Sequence, residues 1–341
     1  MENAHLGDYR SGSFGGNHLG LNLILNGEVD LTPLSGLVNL KELRLYGSLA
    51  VEDFTALSGM TDLQTLRLEV AAAGSMAGLE SLTKLQELSI SNSGSGSGVG
   101  IVSDVSFLAG MTELQILSLA TYQLPDFQGM EQLTNLRDVR LYGSQSGFMD
   151  VDPLQGATKI QVLQLPSRNP ELGPFDISGL AGMTELTELT MDHRVTSLEP
   201  LRNLTKMKKL NINGGTDRDN KPAASFDSIE PLSGMTELTE LTVMAASGMG
   251  NDYLKPLAGL TNLQRLNLYT HGSSYDPPLT DISPLGNLTR LQSLYLLANG
   301  LSDLSPLKNC TSLTDLTIRQ YGGKNITDLS PVSHVTNVSV D

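Results

Sequence analysis

The sequence predicts an α/β solenoid, a curved stack of short units with parallel strands on its concave face and short 3-10 or turn segments on its convex face. Two observations predict this fold class. A leucine pattern, L-x-x-L-x-L, recurs along most of the 341-residue chain, and a short polar turn that often contains proline precedes many copies. One unit cannot bury its leucines by itself, so the units must stack on one another.

The unit is clearest in residues 281–296. Leu294 and Leu296 are two residues apart, so on a strand both point to one face while Tyr295 points to the other. Upstream, Asp281 and Pro284 indicate a tight turn, since proline favours the first position of a helical turn. One unit is therefore a strand, a loop and a turn.

Twelve units match this template, at spacings close to the repeat period of about 20–29 residues. The residues equivalent to Leu291 are Leu40, Leu63, Leu85, Leu114, Leu136, Ile160, Leu186, Met207, Leu238, Leu263, Leu291 and Leu313. Val338 is interpreted as the start of a truncated thirteenth unit. The longer spacings are units with additional loop residues.

Residues 256–268, Pro-Leu-Ala-Gly-Leu-Thr-Asn-Leu-Gln-Arg-Leu-Asn-Leu, resemble the repeats of the bacterial internalin family. The resemblance covers roughly residues 30 to 340 and implies a leucine-rich-repeat horseshoe. It also implies a surface-exposed or secreted bacterial protein that recognises a macromolecule, as internalins recognise host receptors. Internalin repeats usually carry Asn three residues after the last strand leucine. Asn299 fills that position here and other residue types fill it elsewhere, so we expect less regular turns after the strands.

The two ends of the chain differ from the repeats. Residues 1–18 are rich in Gly, Ser and Asn and predict a poorly ordered lead-in. Leu19, Leu21, Leu23 and Leu25 alternate with other residues, which predicts a strand that caps the open end of the stack. We therefore divide the chain into a lead-in with a capping strand, residues 1–35, and a repeat domain, residues 36–341. Residues 1–30 show no secretory signal peptide, and the last strand carries no cap.

The additional loop residues are expected at one edge of the sheet, after the strand and before the turn. They are residues 92–102, 167–175, 214–226, 245–253 and 270–279, and their Gly, Ser and Pro content indicates loops. Asp217, Asp219 and Asn220 carry oxygen atoms that suit calcium, but the glycine and the distal glutamate of a twelve-residue calcium loop are absent. We expect no metal there.

Composition excludes several classes of partner. The net charge of −15 disfavours binding to a phosphate backbone, which requires a basic surplus, so no nucleic-acid partner is expected. The apolar runs are far shorter than the ~20 residues that span a membrane, so no membrane insertion is expected. The single cysteine, Cys310, occupies the position of Leu260 and Leu288 in other units and is predicted to lie in the core.

No pattern of catalytic residues is visible. The five histidines lie at unrelated positions of the repeat, and none has a serine or cysteine placed for activation on the same row of strands. The motifs H-E-x-x-H, C-x-x-C, G-x-S-x-G and the Walker loop are absent. The sequence therefore predicts a protein that is not an enzyme and needs no cofactor.

The outward strand positions should form three columns along the concave face, and two groups stand out there. One is an apolar patch with a polar rim, and the other is a pair of Arg-Leu-Tyr-Gly-Ser segments. Exposed Tyr, Met and Arg are typical of interface anchors, although duplication of a repeat also explains the second group. The candidate partner-binding residues are Met244, Arg265, Asn267, Tyr269, Tyr295, Leu297, Arg319, Arg44, Tyr46, Arg140 and Tyr142.

These observations favour a non-catalytic module that binds a protein, such as a host or bacterial surface receptor, through its concave face. Two alternatives stay open. Exposed tyrosines beside Asn, Asp and Arg could bind a glycan, which would make the chain a carbohydrate-binding protein of the bacterial envelope. The stack could also be a rigid spacer that displays another domain.

Overall fold

The structure, a computed structural model, describes residues 19–93, 101–144, 146–169, 172–192, 195–213, 226, 228–245, 250–270, 278–320 and 325–341. Contacts divide the chain into two compact units, residues 1–169 and residues 170–341. Both units are built from parallel strands and 3-10 segments.

The first unit contains a parallel sheet. Its strands are β1 (Gly20–Ile24), β2 (Gly27–Glu28), β3 (Glu42–Val51), β4 (Thr65–Ala73), β5 (Glu87–Asn92), β6 (Ile116–Tyr122), β7 (Asp138–Ser144) and β8 (Val162–Gln164). β1 pairs with β3, and from β3 to β8 each strand pairs with the next one in the chain. The short β2 also pairs with β3. Its 3-10 segments are Thr32–Leu34, Thr55–Leu57, Leu79–Ser81, Ser106–Leu108 and Asp152–Leu154.

The second unit has the same organisation. Its strands are β9 (Glu188–Met191), β10 (Lys209–Asn213), β11 (Glu240–Ala245), β12 (Arg265–Thr270), β13 (Ser293–Leu297), β14 (Asp315–Arg319) and β15 (Asn337–Val340). From β9 to β15 each strand pairs in parallel with the next. Its 3-10 segments are Ser178–Leu180, Glu199–Leu201, Glu230–Gly234, Asn251–Gly259, Ser283–Asn287, Ser305–Asn309 and Ser330–Val332.

The core follows the leucine pattern. Leu294 and Leu296 on β13 are 1% and 0% exposed, whereas Tyr295 between them is partly exposed. The chain enters the strand through Leu285, Leu288 and Leu291, all fully buried. These leucines are three residues apart, and a 3-10 turn has three residues, so they fall on one side of the chain. The predicted leucine-rich-repeat solenoid, with parallel strands and 3-10 segments, is confirmed.

The polar turns before the 3-10 segments are also as predicted. An aspartate carboxylate accepts the backbone N–H of the residue two positions later, which satisfies a donor at the start of the turn. For example, Asp303 Oδ1 lies 2.7 Å from Ser305 N. The aspartates that do this are Asp30, Asp53, Asp104, Asp126, Asp150, Asp176, Asp281, Asp303 and Asp328.

The last strand corrects one prediction. Val338 pairs with Leu316, so it is not the equivalent of Leu313. Val335 takes that position, because its N–H donates to the carbonyl three residues earlier just as the N–H of Leu313 does. In this register the valines of residues 335–340 match the L-x-x-L-x-L pattern. The sequence analysis placed the first residue of this pattern in the last unit three positions too far along the chain. At the other end, β1 pairs with β3 in the register of the later strands, and the boundary at residue 35 stays a prediction.

Cys310 is fully buried, as predicted from its position in the repeat. Its Sγ lies 3.6 Å from the carbonyl oxygen of Leu285, and burial raises the pKa of the thiol. A buried thiol with a raised pKa is inert, so Cys310 fills the core. Among the residues that the structure describes, no helix is long and apolar enough to cross a membrane.

Candidate functional site

The pairing of β11, β12 and β13 aligns the outward side chains of the second unit. Met244 is in register with Tyr269, and Asn267 is in register with Tyr295. Because neighbouring strands lie about 4.8 Å apart, side chains in register are in reach of one another. The first two predicted columns are therefore present in this unit, and the third aligns Met244 with Tyr269 but does not continue to Leu297.

Tyr269 and Tyr295 are in direct contact. Their ring centroids are 4.4 Å apart, with 33° between the ring planes. Both rings are partly exposed, as is Met244. Partial burial, together with the neighbouring Tyr295, raises the pKa of Tyr269. We call Met244, Tyr269 and Tyr295 the tyrosine cluster; it is an apolar surface with two hydroxyl groups.

Leu297 does not belong to this surface, although it was a predicted member. It is only 7% exposed, and Ala298 after it is fully buried. The alternation of inward and outward residues thus ends at Leu296, although Leu297 still pairs with Arg319 of β14. Leu297 is a core residue.

The three polar residues predicted as a rim already have partners. Arg265 forms an ion pair with Glu240 at 2.9 Å, and Arg319 forms one with Asp341. The side-chain amide of Asn267 donates to the Thr242 hydroxyl at 3.2 Å. These contacts hold the rim in place, and they neutralise its two guanidinium groups.

Asp315 was missed by the sequence interpretation. It is exposed on β14, in register with Ser293 of β13. Its carboxylate accepts hydrogen bonds from the Thr314 hydroxyl at 2.6 Å and from the Asn337 amide at 2.7 Å. These two bonds lower its pKa, so the carboxylate stays charged. The sequence did contain a signal for Asp315. In its column of outward residues, the uncharged Ser293 lies between Asp315 and the nearest basic residue on that side, Arg265, so the two charges are not neighbours.

In the first unit, the predicted Arg140–Tyr142 pair is present on β7. The Asp138 carboxylate, 2.9 Å from Arg140 Nε, raises the pKa of Arg140 most, and Tyr142 contributes further to this rise. Tyr142 is 44% exposed. This pair is therefore accessible, although its guanidinium group is partly neutralised by Asp138.

The other predicted pair is arranged differently. Arg44 contacts the carboxylate of Glu42, whereas Tyr46 lies near Arg67 of the next strand and contributes to the raised pKa of Arg67, which is caused chiefly by Glu87. The register between β3 and β4 shifts after Leu45, so Tyr46 is not aligned with Glu69 as the third column requires. The arginines of the two Arg-Leu-Tyr-Gly-Ser segments thus have equivalent acidic partners, Glu42 and Asp138, whereas the tyrosines differ in the register of their strands.

The part of the chain that the structure describes contains no group of three or more His, Cys, Asp or Glu side chains that could hold a metal ion. His334 lies 3.0 Å from the Cys310 carbonyl, a contact between neighbouring repeats. His193, His271 and the acidic loop at residues 217–220 lie outside the described residues.

No model of a known protein family matches the sequence, and no curated protein matches it. Among solved structures, an internalin (inlF) from Listeria monocytogenes is similar, with 24% identity, a TM-score of 0.73, and coverage of 95% of this chain and 86% of that one. A leucine-rich-repeat protein of Leptospira interrogans has 15% identity, a TM-score of 0.61, and coverage of 91% and 80%.

A plant peptide hormone receptor, RGFR1 in complex with RGF2, is also similar, with 15% identity, a TM-score of 0.55, and coverage of 95% of this chain and 62% of the receptor chain. At these identities the likeness concerns the fold. This chain is thus a leucine-rich-repeat protein whose fold resembles that of the bacterial internalins.

Proposed function

We propose that the chain is a non-catalytic protein-binding module that uses the outward strand face of its second unit. The observation that carries the proposal is the tyrosine cluster, in which two contacting rings remain partly exposed beside Met244. Tyrosine is enriched at binding hot spots because it offers a large apolar surface and a hydrogen-bonding group together.

Two further observations support this proposal. The ion pair Arg265–Glu240 and the bond from Asn267 to Thr242 give the cluster a polar surround, which is the usual anatomy of an interface. The plant receptor of the same fold is solved with a bound partner, which is a precedent for recognition by such a scaffold. By analogy with the internalins, we place the protein at the bacterial surface or in the secreted fraction, and fractionation of the source cells tests this.

The double substitution Tyr269→Ala with Tyr295→Ala tests the site. We expect loss of more than ~2 kcal/mol of binding free energy toward a protein partner, because hot-spot aromatic residues contribute on that scale. The partner is first identified by screening an array of host and bacterial surface receptors, and affinities are then measured by calorimetry. The matched control replaces two exposed apolar residues elsewhere, Met149→Ala and Leu329→Ala. Equal affinity of both double variants, with thermal melts like that of the wild type, rejects the assignment.

Carbohydrate binding is the second candidate. It is favoured by the register of Asn267 with Tyr295, which places an amide beside an aromatic ring. Sugars stack on aromatic faces and use amides for hydrogen bonds. A glycan array distinguishes the two functions. Saturable binding of a glycan that is lost in the double tyrosine variant favours carbohydrate binding. The absence of binding to any glycan on the array favours the protein-binding proposal. Failure of both screens favours the spacer.

A further inference from the structure

We propose that the partner of the tyrosine cluster contributes a basic side chain, a lysine or an arginine, which lies against the Tyr269–Tyr295 pair and forms an ion pair with Asp315. The partner is thus a protein segment with a positive surface. This inference rests on the proposed function and specifies its chemistry.

The first argument is the charge that remains on this face. Three basic residues lie on the outward positions of the described strands of this unit, and each has a carboxylate partner. Lys209 lies 3.6 Å from Glu188, Arg265 lies 2.9 Å from Glu240, and Arg319 pairs with Asp341. The cations beside the tyrosines are therefore already compensated. An acidic partner would have to break these ion pairs to find a counter-charge.

Asp315 is different, because among the described residues its carboxylate accepts hydrogen bonds from the neutral groups of Thr314 and Asn337 and forms no ion pair. It is exposed, and its register neighbour toward the tyrosines is Ser293, which carries no charge. The carboxylate can accept further bonds, since an ionised carboxylate has about four acceptor positions. The surface beside Tyr295 is accordingly negative, with one carboxylate directed toward no cation among the described residues.

Strand geometry brings the two features into reach of one side chain. Tyr295 lies two residues beyond Ser293 on β13, and Ser293 is in register with Asp315 on β14. A step of two residues along a strand and one step across the sheet together separate the two Cα atoms by about 8 Å. A cation binds a tyrosine ring within about 6 Å of its centroid. One ammonium or guanidinium group can therefore touch a ring and the carboxylate together.

The charge of the whole chain acts in the same direction. A net charge of −15 attracts a positive partner and speeds its association, particularly at low ionic strength. This long-range attraction does not select a site by itself. The combination of Asp315 with two aromatic rings does so, because the ring pair favours a cation and the carboxylate fixes its position.

The test uses a library of random twelve-residue peptides displayed on phage, selected on the whole chain and counter-selected on the variant Tyr269→Ala with Tyr295→Ala. We expect the surviving peptides to be enriched in Lys and Arg. The affinity of the synthesised peptides should fall about tenfold with Asp315→Asn, which removes charge but keeps shape. The matched control is Glu237→Gln, an exposed carboxylate in the loop before β11, which should leave affinity unchanged.

The outcomes separate this inference from the proposed function. The inference is overturned if binding of the selected peptides requires the two tyrosines but the peptides are not enriched in Lys and Arg and their affinity does not change with Asp315→Asn. The protein-binding site then remains in place. Peptides that lose equal affinity with Asp315→Asn and Glu237→Gln show a general charge effect and also overturn the inference. A selection that returns no tyrosine-dependent peptide rejects both. Circular dichroism establishes that each variant is folded.

Discussion

Tyr269 and Tyr295 restrict each other's side-chain conformation in the folded chain. Each ring lies on a paired strand and contacts the other ring, which limits the rotamers that both can adopt. Ordering a flexible side chain on binding costs about 0.5–1.5 kcal/mol, and a side chain that is already ordered avoids much of this cost. The tyrosine cluster is therefore suited to recognition at the level of single residues.

Leu297 gives a stability prediction at the same scale. Because it is 7% exposed, Leu297→Ala should lower the free energy of unfolding by about 2–3 kcal/mol, the lower part of the range for buried leucines. Met244→Ala, at a partly exposed position two strands away, should cost less. Urea unfolding followed by circular dichroism measures both. If the two variants lose equal stability, Leu297 lies on the surface as the sequence alone suggested.

For single residues, the sequence predicts the direction in which a side chain points better than it predicts how far that side chain is buried. A period of two residues places Leu294 and Leu296 inward and Tyr295 outward, and the structure agrees. The period does not report how neighbouring side chains cover the last residue of a strand, so the burial of Leu297 was missed. Asp315 was not among the predicted site residues, because the sequence alone does not show which carboxylates of this face are paired.

Between β4 and the following 3-10 segment, the chain passes close to the preceding repeat at Gly78. This residue has a φ of 98°, and a Cβ atom there would lie 2.3 Å from the backbone oxygen of Phe54. Gly78→Ala should therefore cost more than about 1 kcal/mol of stability, from the left-handed backbone and the clash together. Gly36→Ala is the matched control, since nothing lies within 4 Å of its Cβ position. Equal urea midpoints for the two variants contradict this account of the junction.

Elements whose pattern recurs are predictable, and local exceptions are not. Most strands and turns were predicted because the strand leucines, and in many units the turn aspartate, repeat along the chain. The register shift between β3 and β4 after Leu45 is such an exception. It leaves no periodic signal in the sequence, so the misalignment of Tyr46 could be found only in three dimensions.

At the scale of the whole molecule, the same polar device is used in both units. Aspartates at the start of the 3-10 segments accept hydrogen bonds from the backbone amide and from a side-chain hydroxyl two residues later, and these bonds lower their pKa values. The aspartates with a lowered pKa for this reason are Asp30, Asp53, Asp176, Asp281, Asp303 and Asp328. The contribution of each exposed turn is small, but it recurs along the chain.

These shifts predict a loss of stability in acid. The pKa of each carboxylate in the folded protein lies below the ordinary value of 3.8, so its stabilising effect is complete above that value and is lost as the pH falls through the folded pKa. Urea midpoints should change little between about pH 7 and pH 5 and fall below about pH 4. Asp303→Ala should lower the midpoint at neutral pH and weaken this acid dependence. The relief of repulsion within a chain of net charge −15 acts in the opposite direction. A midpoint that rises steadily down to pH 3 would show that this repulsion, and not the capped turns, controls the response to acid.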